Sequence, residues 1–471
     1  MELLNKVNDF LWGSFIAYLL LGVGIFYTIR LGIPQLRYFG HAIKCMKKNL
    51  KGKDGDISGF STLCAAIGGQ VGTGSLVGVA SALAAGGPGA IFWMWVTALL
   101  GMVITFAETT LGQLFREKIE DGTYRGGPAH YIEKGLNNKV LAMIIAICYI
   151  FAVGLFIASI QTNSIANSFT GVVDIHPILP GIAVVILTAI VIIGGVKRLV
   201  DFSTLIVPFM ALTFIAITVF IVITNITQLP AVLSLIFESA FTGHAVIGGA
   251  IGHTIMEAFR HGIARGLFSN DAGNGVAGMM HAAADVKHPI EQSFLAMLGT
   301  FITTIVICSC TAFALLMTDV LGTGLTGINL LQEAFFVALG STGKWIVFGA
   351  MFLFGFTTLL ADIFYGETNI RYVFKKNATP IIWLYRIVAA GVLVLSSVVP
   401  LTTIWASVDF MLAIIVFINV YALFRLFKYV RYAYKNYMHQ LRNGIKEPEW
   451  NKELDVTKIN LANIDEVTQN N

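Results

Sequence analysis

The sequence predicts an all-α polytopic membrane protein, and three observations carry that expectation. Of its 471 residues 56% are hydrophobic and only 12% charged, about half the charged share of an ordinary soluble domain. Apolar runs of roughly 20 residues, enough to cross a bilayer, recur along the chain. Two of these runs have soft centres. The first, over 61–87, reads STLCAAIGGQVGTGSLVGVASALAAGG, with Gly68, Gly69, Gly72, Gly74 and Gly78 crowded together. Each glycine weakens a helix by about 1 kcal/mol relative to alanine. A soft membrane helix exposes backbone groups at mid-depth, which is tolerated only where protein or a polar cavity satisfies them. Bare backbone at that depth is where many secondary transporters hold ion and substrate.

Eleven spans are expected, at about 10–34, 61–85, 88–115, 139–170, 180–196, 201–225, 245–270, 289–317, 345–370, 380–399 and 403–427. No A-x-A cleavage site follows the first run, so it should stay as a membrane helix. Pro88, Pro180, Pro289 and Pro380 stand at or near helix starts, where a missing N–H costs little. The run 328–342 is too short to span and reads as a surface helix on the outer side. Cys308 and Cys310 lie about 200° apart on one helix and cannot bridge, and no cysteine has metal-type spacing. The lone histidines His253 and His261 likewise lack ligand spacing.

Charge distribution sets an orientation. With the C-terminus in the cytoplasm, 29 of the 31 Lys and Arg fall inside, Arg260 and Arg265 among them, and only Lys6 and Lys344 outside. The positive-inside rule then favours N-out, C-in, in the plasma (inner) membrane of a prokaryote. The formal net charge of +4 is too small to suggest nucleic acid. From Arg425 the tail is basic and then polar and acidic, a helix end at the cytoplasmic surface followed by a disordered stretch.

Leaving the first span aside, ten remain. The second soft run, over 245–270, lies five spans after the first and runs the opposite way. Two interrupted helices so placed are the signature of a 5+5 inverted repeat; glycine-rich packing faces are the plainer alternative. The expected divisions are 1–56 (extra N-terminal helix and basic loop), 57–228 (first repeat, broken helix 61–85), 229–427 (second repeat, broken helix 245–270) and 428–471 (cytoplasmic tail).

The segments QVGTGSLVGVASALAAGGPGAIFWMWVTALLGM and GIARGLFSNDAGNG, with HAAADVKHP following, resemble the alanine or glycine:cation symporter family over about residues 55–425. The resemblance implies a LeuT-type fold with one added N-terminal helix. It also implies Na⁺- or H⁺-coupled import of small neutral amino acids such as alanine and glycine, or glutamine in some members.

Gly72, Thr73 and Gly74 would offer N–H groups and the positive end of a half-helix to a substrate carboxylate. A dinucleotide fingerprint is excluded there, since no strand precedes it. The LeuT-type scheme places Na⁺ on the carbonyls of Gly68 and Val71. Thr357 and Thr358 match the family's hydroxyl pair and complete a neutral oxygen shell for sodium, although such threonines also bond to their own helix. Ser75 stands where many members carry Asn; a hydroxyl is the weaker oxygen ligand, so Ser75 is grouped with the substrate contacts. Gln161 matches the substrate-contacting glutamine, with helix–helix glue as the alternative, and Asn163 points away from it.

Asp362 stands where many members carry Trp, which enlarges the pocket and places an acid within a span. It would meet an amine, carry a coupled proton, or pair with a base such as Arg260. Glu257, often Gln in the family, is either a substrate contact or a protonated cavity carboxyl. Glu108 matches the family pattern and is expected to pair with a basic loop; 265–275 is expected at the cytoplasmic exit of the second broken helix.

The reading is a sodium-coupled amino-acid importer working by alternating access, and not an enzyme, since no nucleophile–base or metal cluster is present. Proton coupling through Asp362 or Glu257 is the nearest rival, and a transporter-like channel or sensor is the rival of another class. Na⁺ is the coupling ion, a small neutral amino acid the substrate and the bilayer the medium. Oligomeric state is not encoded legibly.

Overall fold

The protein is all-helical apart from one small hairpin, in a computed structural model that describes residues 6–8, 10–50, 57–119, 122–242 and 254–451. In order, the helices are α1 (Ala17–Leu31), α2 (Phe39–Lys48), α3 (Gly59–Thr73), α4 (Val79–Gly86), α5 (Gly89–Leu114) and α6 (Pro128–Leu136). Then come α7 (Lys139–Thr170), α8 (Ile178–Ile192), α9 (Gly195–Thr224), α10 (Leu229–Thr242), α11 (Ile255–Asn270) and α12 (Val276–His281). The chain closes with α13 (Pro289–Leu316), α14 (Gly327–Leu339), α15 (Ser341–Phe374), α16 (Ala378–Ser396) and α17 (Leu401–Arg442). The strands Glu117–Lys118 and Tyr124–Arg125 pair antiparallel.

Seven helical segments among the described residues are long and apolar enough to cross a membrane. Their surfaces agree with that role, because large apolar side chains face outward: Leu205 on α9 is 74% exposed and Ile387 on α16 is 69% exposed. Exposed apolar side chains that recur along whole helix faces mark a surface that meets a membrane. The short helix α14 coincides with the expected 328–342 run, but it buries Leu330, Leu331 and Phe335.

Helix starts follow local chemistry. Ser58 caps α3 by accepting the Ser61 N–H at 3.0 Å, and His288 caps α13 by accepting the Ile290 N–H at 3.1 Å, with Pro289 in the first turn. Close approach of helices is bought by glycine. A Cβ on Gly68 would stand 3.1 Å from the Cβ of Thr357, and one on Gly69 3.0 Å from that of Ala361, so α3 lies directly against α15. On the other side of the core Gly266 of α11 brings that helix onto Met94 and Thr97 of α5.

The interruptions differ from expectation in one respect. The first falls within the predicted run: Gly72 has non-helical φ 2° and ψ −142°, followed by a π-helical turn, Gly74–Gly78. The second lies beyond 270. The chain is helical through Asn270, opens at 271–275 with Asp271, Gly273 and Gly275 at positive φ, and resumes at Val276. Residues 245–253 and His253 lie outside the described residues.

This shift in register moves Arg260 and Arg265 into the first half of the broken helix. Arg265 lies 3.9 Å from Asp409 and its guanidinium sits over Trp405. The Asp409 carbonyl also accepts the Trp12 indole N–H. That end is opposite to Lys287, which pairs with Glu447 and Glu449. Arg265 therefore does not belong with the basic loops, and 265–275 leads into the break rather than to an exit. The expected surface helix of the tail continues α17 to Arg442, and the following residues fold back so that the Trp450 N–H meets the Lys287 carbonyl at 2.9 Å.

Candidate functional site

The two interruptions face each other. Gln70, two residues before the first, donates through its side-chain amide to the Asn270 carbonyl at the start of the second, at 3.2 Å. Ser75, just after the first interruption, and Ser269, just before the second, meet oxygen to oxygen at 3.2 Å. Between them is a small pocket lined by Gly72, Gly74, Gln161, Thr358, Asp362 and Tyr365 on one side and Phe268, Asp271 and Asn274 on the other. None of the described residues lining it is basic.

Gln161, nearly fully buried on α7, accepts the Thr73 N–H at 3.0 Å. It thus caps a donor that the broken helix releases, as a bound anionic group would. A Cβ on Gly72 would stand 2.8 Å from the Gln161 amide oxygen and press on the Thr358 hydroxyl, so only glycine fits. The Thr73 hydroxyl is buried without a partner. Asn163, on the other face of α7, donates to the carbonyls of Ser396 and Val399 and holds α16 instead.

Behind the pocket the hydroxyls of Thr357 and Thr358 both reach the Gly68 carbonyl, at 3.1 and 2.7 Å. Both also donate to the Phe354 carbonyl at 3.0 Å. The intrahelical and cross-helix readings of this pair therefore coexist. Phe354 contributes an oxygen that the side-chain pattern gave no sign of; the only cue was its place one turn before the threonines. Val71 is one turn beyond Gly68, and its carbonyl receives the Gly74 N–H.

Asp362, one turn after Thr358, is buried, and one of its carboxylate oxygens has no partner. The suggested pairing with Arg260 is not supported by the pocket, whose lining contains no arginine. Glu257 is placed elsewhere. It is exposed in the first turn of α11, where its carboxylate accepts the Thr254 N–H at 2.8 Å and the Thr254 hydroxyl accepts the Glu257 N–H at 3.1 Å. This capping box follows from the late start of α11, and it removes Glu257 from the pocket. Ser75 is buried beside the pocket but does not line it.

Glu108 on α5 was expected to pair with a basic loop and instead holds the second break. One of its oxygens accepts the N–H groups of Gly273 and Gly275, both at 3.0 Å, and the Asn419 amide at 2.7 Å. Its other oxygen is buried without a partner. Tyr149 donates to the Asn274 carbonyl and Tyr131 to the Asn419 side chain, closing the support beneath the break. No group of three or more metal-ligating His, Cys, Asp or Glu occurs among the described residues.

Residues 1–452 match the sodium:alanine symporter family. The chain belongs to that family. Relatives of the sodium:alanine symporters include the amino-acid carrier protein AlsT of Bacillus subtilis, 40% identical over 94% of this chain and 93% of its own. The sodium/alanine symporter AgcS of Methanococcus maripaludis is 37% identical over 87% and 91%, and the probable sodium/glutamine symporter GlnT of B. subtilis 36% over 96% and 94%. A solved variant of the Eremococcus coleocola manganese transporter is alike in fold, with a TM-score of 0.50, 12% identity and coverage of 83% and 82%. Family membership and the apolar exterior together make this chain a multi-pass membrane transporter.

Proposed function

We propose that the protein is a sodium-coupled importer of small neutral amino acids that works by alternating access. The observation carrying this reading is the meeting of two helix interruptions at one pocket, with the hydroxyl pair and the Gly68 carbonyl directly behind it. In this reading the eleven spans form a LeuT-type 5+5 inverted repeat behind one extra helix, divided at 56, 228 and 427, with the N-terminus outside and the C-terminus inside.

Each group has a task. Gly72, Thr73 and Gly74 present the substrate carboxylate with the N–H groups of the opened helix, and Gln161 yields the Thr73 N–H to it. Asp362 takes the substrate amine or a donor on its side chain. Sodium sits among the oxygens of Gly68, Thr357, Thr358 and Phe354, with Val71 completing the set. These oxygens are neutral, so the ion carries its own charge through the membrane field. The hydroxyls need only rotate to turn lone pairs toward it.

The names of the relatives point to alanine or glutamine. An acid in the pocket favours a substrate with a second donor, as the glutamine amide is. Uptake of radiolabelled alanine, glycine, serine and glutamine into proteoliposomes tests the proposal, under a Na⁺ gradient and separately a proton gradient. The Na⁺ gradient alone should drive accumulation, and Thr358→Ala should cut it at least tenfold. Uptake that ignores Na⁺ and follows pH would move coupling to Asp362.

A further inference from the structure

A basic cleft lies where α1 ends and α17 runs on. Arg30, Arg37, Arg431, Lys435 and Arg442 ring one cleft of about 400 Å³, with His439 beside them, and none of the described residues lining it is acidic. The cations come from opposite ends of the chain. They are brought together because the N-terminal segment through α1 runs parallel to α17 and in contact with it: Asn8 donates to the Ala406 carbonyl, Tyr27 to that of Leu423, and His41 meets the Tyr437 hydroxyl. Gly32, at φ 75°, turns the chain after α1 and brings Arg37 back toward Arg30. Tyr38 and Tyr434 pack across the cleft with ring centres 6.4 Å apart.

A cleft lined by one sign of charge focuses its field and draws counter-ions to it. Four guanidinium groups suit a phosphate, whose oxygens they meet in paired hydrogen bonds.

The position of the cleft selects the source of that phosphate. Arg30 lies over the rings of Phe26 and Phe427, where the apolar parts of α1 and α17 stop. The 39 residues Ile404–Arg442 form a helix of about 58 Å, well beyond the ~30 Å hydrocarbon core. The turns carrying Arg431 to Arg442 therefore stand at the membrane surface. Apolar side chains flank the cations: Leu31 and Met438 line the cleft, and Ile29, Ile33 and Leu36 are exposed on the adjoining helix end and turn. A soluble anion needs none of these, whereas a lipid uses them for its acyl chains. Basic clusters beside a transmembrane helix attract anionic lipid headgroups on the same grounds.

We propose that this cleft binds the phosphate headgroup of an anionic phospholipid from the leaflet around it. The full chain, purified and stripped of lipid, is titrated with phosphatidylglycerol, with phosphatidylcholine of the same acyl chains and with inorganic phosphate, and bound species are counted by native mass spectrometry. Wild type should hold one phosphatidylglycerol at least fivefold more tightly than phosphatidylcholine, with the preference shrinking as salt rises. The triple variant Arg37→Gln, Arg431→Gln, Lys435→Gln should lose that preference. The charge-keeping variant Arg37→Lys, Arg431→Lys should retain most of it, which separates loss of the site from loss of the fold. Equal retention of the two lipids, or a triple variant that binds as wild type does, overturns the proposal. So does inorganic phosphate that fills the site while phosphatidylglycerol gains nothing over it. The readout involves neither Na⁺ nor substrate, so its outcome is independent of the transport reading.

Discussion

Asp362 is buried against Thr358 and Gln161 with an oxygen left over, and a carboxylate in that position discriminates among substrates by what they can donate to it. A site built to bond a polar group rejects an analogue lacking that group far more strongly than an apolar pocket rejects an extra methylene. Replacing Asp362 by Ala should therefore change the substrate profile more than the rate of the best small substrate. The ratio of glutamine to alanine uptake should fall about tenfold, equivalent to ~1.4 kcal/mol of discrimination; an unchanged ratio together with unchanged uptake of both would remove Asp362 from the substrate site. His288 illustrates a titrating group with a structural task. Its Nδ1 accepts the Ile290 N–H and its Nε2 meets the Asn436 side chain, between the rings of Tyr437 and Trp450. Burial pushes its pKa down to about 3 from 6.5. The folded protein thus holds the neutral ring, and the stability this contributes is complete above pH 6.5 and is lost as pH falls from 6.5 toward 3. Each pH unit in that window removes at most about 1.4 kcal/mol. Asn at 288 still caps a helix but does not titrate, so the thermal midpoint of His288→Asn should fall less than that of wild type between pH 7.5 and 4.5. Parallel curves would sink this account.

At the scale of elements, two glycine-softened helices were legible in the sequence, but their depth was not. Helical periodicity reports which face a residue takes and says nothing about where along the bilayer it lies. The first break was readable because five glycines mark it. The second was placed too early, since α11 starts only at Ile255 behind the Thr254 cap, and the opening falls at 271–275. That displacement alone explains why Glu257 left the site and why Arg265 left the basic group. Thr357 and Thr358 lie beside the pocket because their partner carbonyl, Gly68, is on the first broken helix, whose break falls within the expected run. Glu108 could not be read correctly, because two of its three partners are backbone N–H groups, which have no sequence signature. Its three accepted hydrogen bonds keep an unwound segment in one shape, and a buried donor left without its acceptor costs ~1–3 kcal/mol. Glu108→Ala should destabilise the protein by about 3 kcal/mol or more in detergent and raise the KM for substrate. Glu108→Gln, which keeps an acceptor oxygen, should recover most of the stability. If the alanine variant unfolds at the wild-type temperature, the break is held by other means.

For the molecule as a whole the question is whether ion and substrate act on one conformation. The Gly68 carbonyl touches both threonine hydroxyls, and Gly72, one turn further along the same helix, borders the pocket together with Thr358. On the proposed reading, an ion that clamps Gly68 to α15 would fix the helix end that is to receive the substrate carboxylate, and a bound substrate would hold the same helix end in place for the ion. Linkage then requires that each raise the other's affinity by one common factor, and couplings of this kind usually amount to roughly 5–150-fold. A channel or an uncoupled sensor has no such requirement. Alanine affinity of the purified full chain, measured by calorimetry at low and high Na⁺ with choline balancing the salt, should differ at least fivefold. Na⁺ affinity measured without and with saturating alanine should shift by the same factor. Thr358→Ala, which removes the hydroxyl shared by ion shell and pocket wall, should bring both factors toward one together. Alanine binding that is indifferent to Na⁺ in the wild type would separate the two sites and leave the hydroxyl pair as packing between α3 and α15.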